Sequence, residues 1–255
     1  EDQPIISVEK LSLILTTAQK AEHRQFAVAT LAKLGPKAAK AVPALIKALN
    51  DSDRDVRLHS IVALHNIGPE AKAAIPALIE RLKFKRFDGE VVTRLGAIAE
   101  TLEKIGKDAH PAMIKVLTDK SFTSWAKFHI CRAFSSIGPK AKEAIPAIES
   151  VFENGDARSR MSAAVALIKM GAKSKEPLDY IQECFESDNR RIQEGAANAL
   201  GMLGKDGLPV LVAAAQSKNP KTRELGIEGL GRMGEPAMES LAKLLEHPDS
   251  KTRRQ

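Results

Sequence analysis

The chain has 255 residues, of which 44% are hydrophobic and 28% are charged, and its net charge is +7. This balance excludes a disordered chain, and the lack of any apolar run of 18 residues excludes a transmembrane helix. The modest positive charge permits an acidic or nucleic-acid partner without requiring one.

A glycine closes an apolar run seven times along the chain. These glycines are Gly35, Gly68, Gly106, Gly138, Gly171, Gly204 and Gly234. The residue four positions before each glycine is large and apolar, and the residue five positions before it is small. With a further, mostly apolar position seven before, this spacing predicts one buried face of an α-helix that ends at the glycine, where a positive φ is needed.

Each closing glycine except the last is followed by the signals of another helix pair. Prolines stand five to eight residues later, at Pro43, Pro76, Pro111, Pro146, Pro177 and Pro209. Proline costs little in the first turn of a helix, because the missing N–H has no partner there. Polar turns, such as those at 50–53 and 154–156, then separate this first helix from the second one. The repeating unit is therefore predicted to be a helical hairpin.

The predicted repeats span residues 4–35, 36–68, 69–106, 107–138, 139–171, 172–204 and 205–234, with a partial eighth at 235–255. Segments such as Val42-Pro43-Ala44-Leu45, closed by Ile67-Gly68, resemble bacterial HEAT or HEAT-like repeats over residues 4–255. The resemblance implies an all-α, right-handed α–α superhelix, that is, a HEAT-like solenoid of about seven hairpins forming one domain over 1–255. The partial eighth unit suggests that the natural protein continues past Gln255 or that its tail is frayed.

A mostly basic column lies eleven residues before the closing glycine. Its basic members are Arg24, Arg57, Lys127, Arg160 and Arg223. The turns that precede these residues usually hold an aspartate, and similar rows in HEAT proteins look like a structural ladder. We therefore interpret the column as a ladder of pairs between repeats rather than as a stripe that binds phosphates.

By resemblance, the second helices are expected to line a concave face that binds a partner. Repeats two and five place apolar side chains and one histidine at outward positions there, repeat four adds aromatic residues and an arginine, and the longer turn of repeat three is basic and aromatic. The candidate partner-binding residues are Leu58, Val62, His65, Met161, Val165, Ile168, Trp125, Phe128, Arg132, Phe84, Lys85, Arg86 and Phe87. Such groups are typical of interfaces, although burial within the repeats is the competing interpretation.

The turns between repeats are rich in lysine and predict a basic edge. These lysines are Lys37, Lys40, Lys72, Lys107, Lys140, Lys142, Lys173, Lys175 and Lys205. Together with the loop at 83–87, such an edge could dock nucleic acid, lipid headgroups or an acidic protein. A simple solvated surface is the competing interpretation.

The sequence contains no recognisable catalytic, cofactor-binding or metal-binding motif. No histidine is followed by glutamate, so the His-Glu pairs with which HEAT-repeat hydroxylases bind iron are missing, and no P-loop or G-x-S-x-G occurs. Cys131 and Cys184 are predicted to be buried structural thiols. HEAT-like alkyl-base DNA glycosylases trap their lesion with several tryptophans, whereas this chain has only Trp125.

We therefore predict a non-enzymatic protein–protein interaction scaffold without a cofactor, with another protein as its partner on the concave face. The first alternative is a nucleic-acid-binding HEAT-like protein that uses the basic edge and the loop at 83–87. The second is a HEAT-like enzyme of the glycosylase or bilin lyase type, or an accessory domain of one. A cytoplasmic location is favoured, while the start at Glu1 without an initiator Met leaves an exported mature chain open.

Overall fold

The structure is a computed structural model that describes the backbone of residues 6–83 and 89–245 and, within these ranges, the side chains outside 89–94 and 244–245. All regular elements in these ranges are helices, which confirms the predicted all-α class. The chain divides into two compact units, Glu1–Ile137 and Gly138–Gln255. This boundary coincides with the end of the fourth predicted repeat. One continuous solenoid over the whole chain stays a prediction.

The described residues of the first unit form four helical hairpins. Their helices are α1 (Val8–Thr17), α2 (Ala21–Leu34), α3 (Val42–Ala48), α4 (Arg54–Ile67), α5 (Ile75–Arg81), α6 (Gly89–Ile105), α7 (His110–Thr118) and α8 (Ser124–Ile137). The first helices of the hairpins form one layer and the second helices another, because α4 packs between α2 and α6, and α6 packs between α4 and α8.

The described residues of the second unit continue the same pattern. Their helices are α9 (Ile145–Asn154), α10 (Ala157–Lys169), α11 (Glu176–Phe185), α12 (Arg190–Met202), α13 (Leu208–Ala215), α14 (Pro220–Met233) and α15 (Met238–Leu245). Here α12 packs between α10 and α14, and each of these second helices packs against the first helix of its own hairpin. The helix α15 is the first helix of the partial eighth repeat.

The closing glycines turn the chain from one hairpin to the next. Gly35 has φ 55° and ψ −130°, and Gly68 has φ 73° and ψ −134°. A Cβ atom makes this backbone conformation unfavourable, so the turn requires glycine. All seven predicted glycines have a positive φ, which confirms that part of the repeat. Gly35 and Gly68 also begin short 3-10 helices, Gly35–Ala41 and Gly68–Ala74, which lead into the next first helix.

The helix starts follow from proline and from capping side chains. Pro43, Pro76 and Pro146 lie in the first turn of α3, α5 and α9, as the spacing predicts. At the second helices, Asp53 accepts a hydrogen bond from the Val56 N–H, and Asp156 accepts one from the Ser159 N–H. Each cap satisfies a backbone donor that the helix itself leaves without a partner.

The apolar columns of the repeat form the core of both units. In the first unit, the column four residues before the closing glycine is fully buried; its members Leu31, Leu64, Leu102 and Phe134 are each 0% exposed. In the second unit, Leu167, Leu200 and Leu230 are also buried. Burial of each such side chain contributes about 1.5–3 kcal/mol, so this column alone supplies a large share of the cohesion between neighbouring hairpins.

The prediction of a longer turn in repeat three concerns a segment between α5 and α6. Its aromatic and basic residues, Phe84, Lys85, Arg86 and Phe87, lie outside the described residues. Among the helices that are described, none is both long enough and apolar enough to cross a lipid bilayer.

Candidate functional site

A groove of about 480 Å³ crosses the second helices of repeats two to four in the first unit. We call it the second-helix groove. It is lined by His65 of α4, by Gly96, Ala99, Glu100, Glu103 and Lys104 of α6, and by His129, Arg132, Ala133 and Ser136 of α8. Its volume lies in the range of about 300–1,000 Å³ that is usual for ligand pockets.

The groove exists because α6 has small residues where its neighbours have large ones. Ten residues before the closing glycine, α4 carries Leu58 and α8 carries Phe128, whereas α6 carries Gly96. A methyl group on Gly96 would lie 3.3 Å from Cε1 of His129, so a side chain at this position would press against the imidazole ring of α8. Ala99 and Ala133 complete a floor of small side chains.

An aromatic cluster on α8 borders the groove. The ring of Trp125 stacks on His129 with centroids 6.1 Å apart and contacts Phe128 edge-on at 5.8 Å. Phe128 contacts His129 at 5.0 Å, and the guanidinium of Arg132 lies 5.9 Å from the centroid of the Phe128 ring. Trp125 and Phe128 are half-buried and Arg132 is exposed. The cluster therefore connects the groove wall, at His129 and Arg132, to an accessible aromatic surface.

Charged groups in the groove have few partners of their own. Glu103 accepts a hydrogen bond of 2.6 Å from Ser136 Oγ, which joins α6 to α8. Within the described part of the chain, neither Glu100 nor Arg132 forms an ion pair, and both are exposed. The groove therefore presents acidic and basic groups together above a floor of small side chains, with Glu100 and Arg132 at the same level on α6 and α8.

Several predicted partner-binding residues come together here. His65 and Arg132 line the groove, and Trp125 and Phe128 border it. On α4, Val62 stands one turn before His65 and is 38% exposed, which is high for a large apolar side chain, whereas Leu58 is half-buried. The apolar row of α4 and the aromatic cluster of α8 therefore flank α6 on its two sides.

The predicted apolar row of repeat five is only partly correct. Met161 and Ile168 of α10 are half-buried, but Val165 is 3% exposed and the prediction that it faces outward is wrong. The reason is that residues 162–167 are all buried, so this stretch of α10 is covered on every side. Val165 belongs to the core.

The basic column makes short hydrogen bonds at the turns of the first unit. Arg24 forms a two-pronged pair with Asp51 of the next repeat, with Nε–Oδ2 and Nη2–Oδ1 distances of 2.8 Å. It also donates to the carbonyl oxygens of Ala18 and Gln19, and Arg57 donates likewise to those of Asp51 and Ser52. Lys127 has no side-chain hydrogen bond or ion pair within the described residues.

The electrostatic state of Asp51 follows from these bonds. Burial opposes its ionisation, yet the hydrogen bonds from Arg24 and from the Asp53 N–H outweigh burial and hold the pKa of Asp51 below its usual range. The partner of Arg24 is thus Asp51, whereas Asp53 caps α4 and accepts a hydrogen bond from Gln25.

The same column in the second unit uses aromatic and backbone partners. Arg160 lies 4.4 Å from the centroid of the Tyr180 ring and donates from Nε to the Phe152 carbonyl oxygen at 2.9 Å. Burial, followed by hydrogen bonding to Cys184, raises the pKa of Tyr180 to about 12. Arg223 is buried and donates to the carbonyl oxygen of Ser217.

The lysines of the predicted basic edge are exposed, but acidic groups are interspersed among them. Lys40 pairs with Glu9 at 3.3 Å, and Lys72 pairs with Asp108 at 3.7 Å. Both pairs are highly exposed and contribute little to stability. They do reduce the positive charge that this edge could offer to phosphates.

Sequence reasoning missed the residues that create the groove, chiefly Gly96 and His129. One signal was present: Gly96 is the single position in its column that lacks a side chain. Cys131 is buried as predicted, while Cys184 is half-buried beside Tyr180, and within the described residues neither cysteine forms a disulfide. Within the described ranges, no three His, Cys, Asp or Glu side chains converge in a way that could hold a metal ion.

A family of HEAT repeats matches residues 8–91 and 179–255 of the chain, which is more than half of its length. The chain belongs to this HEAT-repeat family. No curated protein sequence matches it significantly.

Several solved structures show similarity to the chain. The complex of CpcE and CpcF of phycocyanin lyase from Nostoc sp. PCC7120 is similar at 24% identity, with 95% of each chain covered and a TM-score of 0.52. An archaeal HEAT-like repeats protein from Thermococcus onnurineus NA1 matches at 14% identity, over 92% of this chain and 100% of that one, with a TM-score of 0.46. Human deoxyhypusine hydroxylase matches at 20% identity, over 97% and 92%, with a TM-score of 0.38. At 24% identity, the likeness to the phycocyanin lyase structure concerns the fold alone.

Proposed function

We propose that the chain is a non-enzymatic protein-binding scaffold whose partner docks on the second-helix groove. The observation that carries this proposal is the groove itself, whose floor of small residues on α6 and α8 is flanked by α4, with His65 in the groove wall and the exposed Val62 nearby, and by the aromatic cluster of α8. A concave surface of this composition gives a partner side chain contacts on three sides.

The chemistry of the surrounding residues supports a protein partner. Trp, Phe and Arg side chains are enriched where proteins bind one another, and Trp125, Phe128 and Arg132 lie within one cluster. The exposed Val62 would lose contact with water on docking. A helical-repeat chain of this fold occurs in a two-protein complex in CpcE and CpcF, which is consistent with such a partner.

A protein partner is favoured over nucleic acid by the charge pattern. Phosphate backbones are bound by several cations that act together. The groove contains Glu100 and Glu103 beside Lys104 and Arg132, and two lysines of the basic edge are paired with acids. We therefore place the partner in the groove rather than along the edge.

The test uses Val62→Glu with Ile192→Glu as the matched control. Both positions hold a β-branched apolar residue on a second helix, 38% and 36% exposed, but Ile192 belongs to α12 of the second unit. Immobilised wild-type and variant chains capture proteins from an extract of the source organism. We expect one protein that wild type and Ile192→Glu retain and Val62→Glu loses.

That protein is then purified and titrated onto the chain in solution. Trp125 is the only tryptophan of the chain, so its fluorescence reports docking beside the groove, provided that a partner containing tryptophan is corrected for separately. We expect Val62→Glu to raise the Kd about tenfold or more, since a charge then faces an apolar contact. Equal affinity of both variants for the purified partner would contradict the proposed docking surface.

A further inference from the structure

The groove holds two opposite charges that do not meet. Glu100 of α6 and Arg132 of α8 each stand six residues before the closing glycine of their repeat, so they lie at the same level on neighbouring helices. Both line the groove and are exposed. Within the described residues they pair neither with each other nor with any other charged side chain.

The other charged groups of the groove lie at different levels. Glu103 is hydrogen-bonded to Ser136. Lys104 is exposed in the last turn of α6, close to Gly68 at the end of α4. Among the residues that line the groove, Glu100 and Arg132 are therefore the pair of opposite charges that share one level across α6 and α8.

Neighbouring second helices of this chain do pair their charges elsewhere. In the second unit, Arg190 of α12 bonds Glu194 of its own helix at 2.8 Å and reaches Glu224 of α14 at 3.5 Å. Arg232 of α14 likewise contacts Glu228 and Asn198. Long side chains can thus bridge two second helices, and the open Glu100–Arg132 arrangement differs from this self-satisfied one.

We propose that the partner segment is an amphipathic helix that brings one basic and one acidic residue to the groove, the basic one to Glu100 and the acidic one to Arg132. This inference rests on the proposed function and specifies its partner. Packed helices are about 8–10 Å apart, so the two charges of the partner must be separated by a similar distance. Residues seven apart on one helix face are separated by about 10.5 Å, since the rise is 1.5 Å per residue.

The space between the two charges determines the rest of the motif. Apolar side chains three and four residues after the first charge lie on the same helix face and would rest on the floor formed by Gly96, Ala99 and Ala133. The predicted motif is therefore a charged residue at position one, apolar residues at positions four and five, and a residue of opposite charge at position eight. The basic residue can come first or last, depending on the direction in which the partner helix runs.

The test is a selection on the full-length chain with a displayed library of helix-forming 14-residue peptides. The library keeps leucine at two adjacent central positions and randomises the positions that flank them. We expect the enriched peptides to carry opposite charges seven residues apart. A synthetic copy of the most enriched peptide is then titrated, with Trp125 fluorescence and calorimetry as readouts.

Charge reversal gives the discriminating result. Glu100→Lys and Arg132→Glu should each weaken the peptide about tenfold or more, because each places like charges in contact. The double variant Glu100→Lys, Arg132→Glu should bind instead the peptide in which the two charges are exchanged. Circular dichroism and thermal unfolding check that the exposed substitutions leave the fold intact.

The outcomes separate the two proposals. Peptides that lose affinity with Val62→Glu but bind the charge-reversed variants as tightly as wild type overturn the charge-paired helix and leave the docking surface standing. If the enriched peptides bind Val62→Glu and both charge-reversed variants as tightly as wild type, the groove is not the docking surface. A selection that enriches no opposite-charge pair also overturns the charge-paired helix.

Discussion

The second-helix faces of the two units carry different side chains at the same repeat positions. Ten and six residues before the closing glycine, the first unit has Leu58 and Val62, Gly96 and Glu100, and Phe128 and Arg132. At these positions in α12 and α14, the second unit has Glu194 and Asn198, and Glu224 and Glu228. The first set forms a groove with open charges, whereas the second set is linked by Arg190 and Arg232 into a network of its own.

The contrast shows which positions of a repeat can vary without loss of the fold. The buried columns are nearly the same in both units, because every hairpin must pack on its neighbours. Apart from Val165, which is buried, the outward positions compared above contribute less to that packing, so they can carry either a self-satisfied charge network or an unsatisfied binding surface. Function in this chain is therefore expected to reside in one group of repeats and not evenly along all of them.

The side-chain contacts that join neighbouring repeats, which we call joints, also differ between the two units. Arg24 joins two repeats of the first unit through a carboxylate, Asp51, whereas Arg160 joins two repeats of the second unit through the aromatic ring of Tyr180.

The largest effect is expected from glycine substitutions. A methyl group on Gly226 of α14 would lie 2.8 Å from the carbonyl carbon of Ala214, so Gly226→Ala should push α13 and α14 apart and cost about 3 kcal/mol of unfolding free energy. At Gly231 of the same helix the space is open, and Gly231→Ala should stabilise by up to about 1 kcal/mol. Urea unfolding of the two variants measures both.

A glycine-to-alanine substitution in the groove of the first unit should change the unfolding free energy less. On Gly96 of α6 a methyl group would lie 3.3 Å from a side-chain atom of His129 and would not meet backbone, so Gly96→Ala should cost much less stability than Gly226→Ala. A loss as large as that of Gly226→Ala would show that the groove is a rigid part of the core and not an open surface.

The next largest effect is expected at the joint of the first unit, the Arg24–Asp51 pair. Arg24→Ala leaves the partly buried Asp51 and two carbonyl oxygens without their donor and should cost about 2 kcal/mol near neutral pH. Because the pKa of Asp51 is depressed in the fold, the pair stabilises above the ordinary value of 3.8 and is lost as the pH falls through and below it. Urea unfolding of wild type and variant should therefore converge towards acidic pH, and a constant difference would contradict the pairing.

The joint of the second unit should respond only at alkaline pH. Tyr180 is the only tyrosine, so ultraviolet titration of the chain reports this phenol alone. We expect phenolate absorbance to appear near pH 12 in the folded chain and near 10 in urea, since burial favours the neutral form. With the folded pKa raised, this stabilisation is present below pH 10 and is lost as the pH rises towards 12. Titration of the native chain near 10 would place Tyr180 in water.

The smallest effect concerns the charges on the two faces. Glu224→Gln removes an exposed pairing partner of Arg190 and should lower the melting temperature slightly at low salt and not at high salt. Glu100→Gln removes no pair and should leave the melting temperature unchanged at either salt concentration. A similar decrease for Glu100→Gln would show that this carboxylate has a partner after all.

Much of the fold could be predicted from the sequence because it depends on periodic requirements. The turn at Gly68 needs a residue without Cβ, and the column that contains Leu64 must be apolar to join the hairpins. Both requirements recur in every repeat and are therefore visible in one sequence. The prediction of the fold therefore needs only these recurring positions and not the details of any single repeat.

The candidate site was harder to predict because it arises from differences between repeats. The groove depends on a missing side chain at Gly96 and on the ring of His129 that approaches it, and only coordinates bring these two together. The prediction that Val165 faces outward was wrong for a related reason. An outward position by helical spacing can still be covered when the neighbouring helices enclose that stretch, as they do at residues 162–167.

The positive-φ glycines also determine where this architecture can change in length. Each of these glycines ends a hairpin where the chain turns into the next one, so a chain boundary placed there would interrupt no α-helix. The spacing between Gly35, Gly68 and Gly106 is about one hairpin in length. A duplication or deletion from one such glycine to the next would insert or remove a complete module with its own cap and its own contact columns. Such an event outside repeats two to four would change the position of the groove in the sequence without altering the residues that form it, whereas one within those repeats would divide or remove the groove.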